Sequence, residues 1–296
     1  MSPRTVHVLQ VDAFTDRPFA GNPAGVVLDA GDLSDGEMQA IAAELNAADT
    51  AFLSPPSGGG HPWLRWFTPS REVAYCGHAT VATVHALVEA GRLSAGDRIA
   101  FDTKGGLLAA AVEAGPVIWL EPGEARVEPF TGPLEEIAGA AGLAPAARGP
   151  WAEPALTADG DLLVAAVSLA ALQDLAPDMG ALARAASAAN MRGLCVVSRE
   201  TVDAGSSTHC RFFAPHYGIP EDPVTGSVHS SIGLWLLAAG LLPTNGGRGA
   251  FTAEQGDGLG RPGRLSVAVE SAPGQPTRAR VGGRAVTVLT GQIALR

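Results

Sequence analysis

The chain has 296 residues, 20 Lys+Arg against 30 Asp+Glu, a formal net charge of −10 and a pI near 5.1. That balance excludes a phosphate-backbone binder, which needs a basic face, so no nucleic-acid partner is expected. Hydrophobic residues make up 46%, ample for a core, and the length exceeds what one core usually fills, so two domains are expected.

Particular residues exclude further classes. The single lysine, Lys104, follows Thr103, so no Walker-type phosphate loop exists. Cys76, Cys195 and Cys210 contain no CxxC pair, and their odd number disfavours a secreted disulfide scaffold. Asp12 and Asp16 interrupt the N-terminal region, which lacks a signal-peptide pattern, and the longest apolar stretches, 162–172 and 232–242, are well short of a bilayer span. A soluble, cytoplasmic protein with no membrane partner is the expectation.

In chain order, residues 6–14 read as a strand, followed by a Pro/Gly/Asn turn and a second strand at 24–28. Asp35 is the expected N-cap of a helix carrying Met38, Ile41, Ala42 and Leu45 on one face and ending near Asn46. Extended segments follow at 50–53 and 63–67, then a hairpin of 101–103 with 107–112, and a strand at 117–120. Residues 121–161 shift to Pro, Gly, Ala and acidic types and read as a linker or domain crossing. Strands are expected near 162–167, 193–197 and 208–213, a helix over 169–185, and tail strands at 264–270, 278–281 and 284–295. The class is mixed α/β, rich in antiparallel turns. The expected division is residues 1–116 with 284–296, and 117–283.

An internal echo is the most informative feature. Arg65-Trp-Phe-Thr-Pro69 precedes a segment running from Cys76-Gly-His-Ala-Thr80 to Gly91, and Arg211-Phe-Phe-Ala-Pro215 precedes one from Thr225-Gly-Ser-Val-His229 to Gly240. Such self-similarity argues for two similar domains. Both segments are apolar or small on every face, as a buried helix requires, and His85 and Trp235 within them read as core packing. A helix start leaves backbone N–H groups unpaired at its electropositive end. Two such starts, at Gly77-His78 and Gly226-Ser227, are able to receive a carboxylate and the enolate-like charge left when a proton departs the neighbouring carbon. Asp222, just before the second helix, is the candidate orienting carboxylate.

At these residues the chain resembles the PhzF-like family, relatives of the phenazine-biosynthesis isomerase that share the diaminopimelate-epimerase fold. The resemblance spans essentially the whole length. It includes Val11-Asp-Ala-Phe-Thr15, Asn46 to Phe52, both Arg-aromatic-Phe-x-Pro segments, Glu221-Asp-Pro-Val-Thr-Gly-Ser227, Gln255-Gly, and Gly260-Arg-Pro262. It implies two pseudo-symmetric domains, each a curled, mostly antiparallel sheet around a central helix. It also implies cofactor-free proton transfer within a small carboxylate-bearing metabolite, in a cleft between the domains, and a homodimer. The matching positions are His78, Asp222 and Ser227 as catalytic groups, with Gly77, Gly226, Thr225 and Cys76 as substrate-binding surroundings. The proton-shuttling acid falls at Asp49, where the family pattern has a glutamate one methylene longer.

Two other readings stay open on the residues: a carboxylate-binding protein of the same fold weakened by the shorter Asp49, and an epimerase using the single thiol of Cys76. The related two-thiol epimerases carry a cysteine at each helix start, whereas here the second position is Thr225. Residues 258–263 match GxGxxG formally but contain Pro262 and lead into a strand, so no dinucleotide is expected. Gln255-Gly256 and Arg261 are placed in a loop near the site, Arg261 being a candidate partner for a substrate carboxylate. His209, His216 and His229 fall on different elements, so neither a metal nor any other cofactor is expected.

Overall fold

The computed structural model describes residues 4–56, 58–121, 126–272, 274 and 277–295. The chain divides into two compact units, Met1–Glu121 with Gly282–Arg296, and Pro122–Val281. In chain order the first unit holds β1 (Arg4–Ala13), β2 (Asn22–Val27), α1 (Asp35–Leu45), β3 (Asp49–Ser54), β4 (Trp63–Phe67), β5 (Glu72–Val73), α2 (Gly77–Glu89), β6 (Arg98–Thr103), β7 (Gly106–Glu113) and β8 (Val117–Glu121). The second holds β9 (Val127–Pro129), α3 (Leu134–Ala140), β10 (Ala155–Thr157), β11 (Asp161–Ala165), α4 (Leu169–Gln173), α5 (Met179–Ala188), β12 (Gly193–Ser198), β13 (Thr208–Ala214), β14 (Ile219–Asp222), α6 (Gly226–Ala238), β15 (Arg248–Gln255) and β16 (Gly263–Glu270). Strand β17 (Arg278–Gly283) straddles the division, and β18 (Ala285–Leu295) returns to pair with β1.

The two units repeat one wiring. β2 lies parallel to β3 after a crossover through α1, and β11 lies parallel to β12 after a crossover through α4 and α5. In each unit the next strand, β4 or β13, turns back antiparallel and passes to a short antiparallel partner, β5 or β14, just ahead of the long buried helix. β6 and β15 then run parallel to β4 and β13. Helices α2 and α6 are both 13 residues long, and Gly91 and Gly240 each follow two residues past the helical span in the left-handed region. The expected α/β architecture, a mainly antiparallel sheet on a buried helix in each half, is the one observed.

Burial explains why these helices are apolar all round. α2 packs on β1, β2, β3, β8 and β18, and α6 on β9, β10 and β16. Gly233 is required there: a Cβ would lie 2.8 Å from Val269 and 3.0 Å from Val267 of β16. Buried hydroxyls are satisfied along the helix itself, Thr80 donating to the Cys76 carbonyl at 2.6 Å and Thr83 to that of Ala79 at 2.7 Å. Separate clusters cover other sheet surfaces. α1 brings Met38, Ile41 and Ala42 onto Val8, Val27 and Phe52, while α3 to α5 bring Ile137, Leu172 and Leu182 onto Leu162, Val164 and Leu194. β11 and β12 are buried along their whole length, which accounts for the apolar runs at 162–165 and 194–197.

Several expectations are corrected. Residues 121–161 are not a bare linker: the described part carries β9, α3 and β10, with Ile137 and Leu143 deep in the core. The helix expected over 169–185 is two helices, because Pro177 cannot donate to the helical ladder and Asp178 caps the second by accepting from the Ala181 N–H at 2.9 Å. The cap of α1 is Ser34, not Asp35; Ser34 and Glu37 form a reciprocal capping box. Among the described residues, no helix is long and apolar enough to cross a membrane.

Candidate active site

In the first unit, Asn46 adopts a left-handed conformation that ends α1 and turns the chain into β3, setting Asp49 at the start of that strand beside Ala24 of β2. The β5 segment then delivers Cys76 to the N-cap of α2 in extended backbone. Asp49, Cys76 and His78 consequently meet, one potential donor atom from each lying within 4.8 Å of the others. Asp49 Oδ2 is 3.8 Å from His78 Nε2, just beyond hydrogen-bond reach. His78 is buried, and that desolvation pulls its pKa down to about 4, so the imidazole is neutral near pH 7. Cys76 Sγ is 3.5 Å from Nδ1 and 4.0 Å from Nε2 of His78. Those nearly equal distances put the sulfur beside the ring face, not in line with either nitrogen, a poor geometry for withdrawing the thiol proton. The same three side chains form a chemically reasonable donor set for a divalent cation, placed at the electropositive end of a helix, which opposes one.

Neither buried helix is capped by its own N-cap side chain, whereas Ser34, Ser168 and Asp178 cap α1, α4 and α5. A Cβ added at Gly77 would meet only ordinary contacts, Tyr75 Oη at 3.4 Å and a Leu120 methyl at 3.6 Å. Glycine there is not demanded by packing. Its effect is to leave the first turn of α2 open to close approach.

In the second unit, Asp222 ends β14 and accepts from Thr225 Oγ1 at 2.5 Å. Gly226 and Ser227 open α6. Gln255, expected in a loop, is instead the buried last residue of β15, and it holds this turn from below. Its Oε1 accepts from the Thr225 N–H at 2.9 Å, and its Nε2 donates to the Asp222 carbonyl at 2.8 Å and to Thr225 Oγ1 at 3.1 Å. Gly256 follows with φ +91°, where a Cβ would come within 2.3 Å of the Arg261 carbonyl oxygen and 2.6 Å of that of Pro223. Arg261 therefore lies on the loop folded over Gly256, its backbone N–H bonded to the Gly256 carbonyl at 3.1 Å.

A residue missed by sequence reasoning completes this group. Arg192, just before β12, donates from Nη2 to Ser227 Oγ at 3.0 Å and grips the buried Asp161 through Nε and Nη2. Burial opposes its charge, but the hydrogen bonds and negative charge of Asp161 outweigh that and keep the guanidinium protonated. An arginine at the mouth of an otherwise apolar buried strand was the available signal. His209, His216 and His229 fall on β13, a short 3-10 turn and α6, as anticipated; His209 pairs with Glu254 at 2.8 Å and His229 with Gln255 at 3.1 Å. Trp235 is a core residue whose Nε1 donates to the Glu153 carbonyl at 2.8 Å.

A repeated unit of mostly antiparallel sheet on a buried helix is the epimerase-like fold. More specifically, residues 11–291 match the phenazine biosynthesis-like protein family, PhzC-PhzF, and the chain belongs to it. Uncharacterised isomerases of Pseudomonas aeruginosa and Deinococcus radiodurans are 38% and 37% identical to it. The first alignment covers 97% of both chains, the second 93% of this chain and 90% of the relative. A PhzF-family crystal structure from Bacillus anthracis, 28% identical, superposes with a TM-score of 0.90 over 99% of this chain and 100% of that one. The fold also extends to a hydroxyproline epimerase of Agrobacterium vitis at 13% identity and a TM-score of 0.59. By this kinship the chain is an isomerase.

Proposed function

We propose that the protein is a cofactor-independent isomerase that moves a proton within a small carboxylate-bearing metabolite. The observation that carries this reading is the approach of Asp49 to a buried, neutral His78 at the uncapped start of α2. Asp49 takes a proton from a carbon activated by an adjacent carboxylate or conjugated double bond and returns it to another carbon of the same molecule, so hydrogen is conserved. His78, uncharged, donates to or accepts from the substrate without competing for the proton. The first-turn N–H groups of α2 stabilise the charge that develops on the substrate oxygens. Asp222 and Ser227, at the start of α6, are the substrate-holding groups of this reading.

The test is incorporation of solvent deuterium into the carbon framework of small unsaturated or hydroxylated carboxylic acids, followed by NMR. Exchange that disappears in Asp49→Asn supports the assignment; unchanged exchange in that variant overturns it. A second reading, ligand binding without turnover, rests on the shorter acid at position 49, an aspartate where the family pattern has a glutamate. It predicts carboxylate binding without exchange in the wild type, and exchange gained in Asp49→Glu.

A further inference from the structure

We propose that Arg192 is a positioning residue that commits the Ser227 hydroxyl to act as a hydrogen-bond donor toward substrate. This rests on the reading of Ser227 as a substrate contact. A serine hydroxyl has one hydrogen to give and two lone pairs, whereas a guanidinium only donates. The Arg192 Nη2 bond to Ser227 Oγ at 3.0 Å therefore occupies a lone pair and leaves the hydroxyl hydrogen to point elsewhere. The Ser227 carbonyl is separately served by Ser230 Oγ at 2.7 Å, so the helix does not draw on that hydrogen to satisfy it.

The arginine is held for this task from several sides. Asp161, fully buried, receives both Nε and Nη2, and Asp161 is itself fixed by a bond from its N–H to Thr157 Oγ1 at 3.0 Å. The guanidinium carbon lies 5.7 Å from the centroid of the Phe212 ring. That ring occupies the space over Gly193, where a Cβ would come within 2.6 Å of it. The Arg192 N–H is bonded to the Gly160 carbonyl at 2.7 Å. A planar fork locked on one carboxylate keeps Nη2 available in a fixed direction, which a flexible lysine would not reproduce. The adjacent positive charge also polarises the Ser227 O–H, making it a stronger donor to an anionic oxygen.

The Ser227→Cys variant supplies a reporter that needs no substrate. The pH dependence of alkylation of the introduced thiol, resolved by peptide mass spectrometry, gives its pKa. With Arg192 present, that value lies about one pH unit or more below the ordinary 8.5 or so. Adding Arg192→Gln raises it by about one unit, and adding Arg192→Lys, which keeps the charge but not the directed fork, raises it by more than half as much. No change with Gln, or a value with Lys equal to that with arginine, overturns the proposal, with thermal denaturation confirming that each variant is folded. On the deuterium-exchange reaction, Arg192→Gln lowers kcat/KM roughly tenfold or more in the wild type but less than about threefold in Ser227→Ala. Equal losses in both backgrounds would mean that Arg192 is merely structural. Failure of the isomerase reading appears separately, as exchange that survives Asp49→Asn.

Discussion

The two buried helices begin on the same scaffold with different chemistry. Arg65 bonds Glu72 at 2.7 Å and lies 5.0 Å from the Phe67 ring centroid; Arg211 bonds Glu221 at 2.9 Å and lies 5.0 Å from that of Phe213. Both arginines tie the sheet to a crossover helix, Arg65 reaching Asp35 of α1 and Arg211 the carbonyls of Leu172 and Leu175 at the end of α4. Gly105 presses its backbone on the Ala74 carbonyl and Gly256 on that of Pro223, each carbonyl two residues before an N-cap. Beyond this the repeats diverge. Residue 104, before Gly105, is a lysine paired with Glu72 at 3.3 Å, whereas residue 255, before Gly256, is the glutamine that binds the N-cap. The first start gathers a carboxyl, an imidazole and a thiol; the second gathers hydroxyls, a carboxylate, an amide and a guanidinium. Repetition preserved the means of aiming a helix start while the side chains gathered there diverged; in the proposed function the first copy transfers the proton and the second holds substrate.

This division of labour has a graded set of consequences. Asp49→Asn should lower deuterium exchange by about 10²–10⁴-fold, the range for a general acid–base group, with the melting temperature little changed. An equal loss in Asp222→Asn would assign proton transfer to both copies. Next, His78 becomes neutral in the fold as pH rises above about 4 but titrates near 6.5 when unfolded. Its stabilising contribution is therefore complete above about pH 6.5 and falls as pH drops toward 4, by a total of about 3 kcal/mol. Urea denaturation across that range should show a shallower acid loss in His78→Gln, and the second copy, with Ser227 in the equivalent place, should add nothing comparable.

Arg211→Met should cost about 2–3 kcal/mol, because it leaves Glu221 partly buried and three carbonyl contacts unmade. Arg65→Met should cost less, since its second partner, Asp35, is exposed. The smallest structural effect belongs to Gly77→Ala. Its added methyl meets no hard contact, so stability should change by less than about 1 kcal/mol. Exchange should nonetheless fall roughly tenfold if substrate approaches the α2 backbone. Unaltered kinetics would remove the α2 start from the site.

Much of this was legible along the chain. The repeat lay in the matched Arg-aromatic-Phe-x-Pro lead-ins, and the buried helices lay in segments apolar on every face. The gathering of Asp49, Cys76 and His78 followed from a resemblance, since no local periodicity joins residues 27 or more positions apart. Where the reading failed, the competing signal was also local. Asp35 was a credible cap until the Ser34–Glu37 box is considered, and Pro177 within 169–185 already argued for a break.

The amino-acid sequence alone determined the two-fold plan, the spans of the buried helices, and the turns that carry the acid, imidazole and hydroxyl groups. These depend on apolar periodicity, capping and turn chemistry, which act over a few residues. Only the tertiary structure decided that Gln255, 30 positions on, would hold the Thr225 N–H, and that Arg192, 35 positions before, would meet Ser227. Such contacts arise from strand pairing and helix placement, and a polar side chain bears no local mark of the distant partner that folding will bring to it.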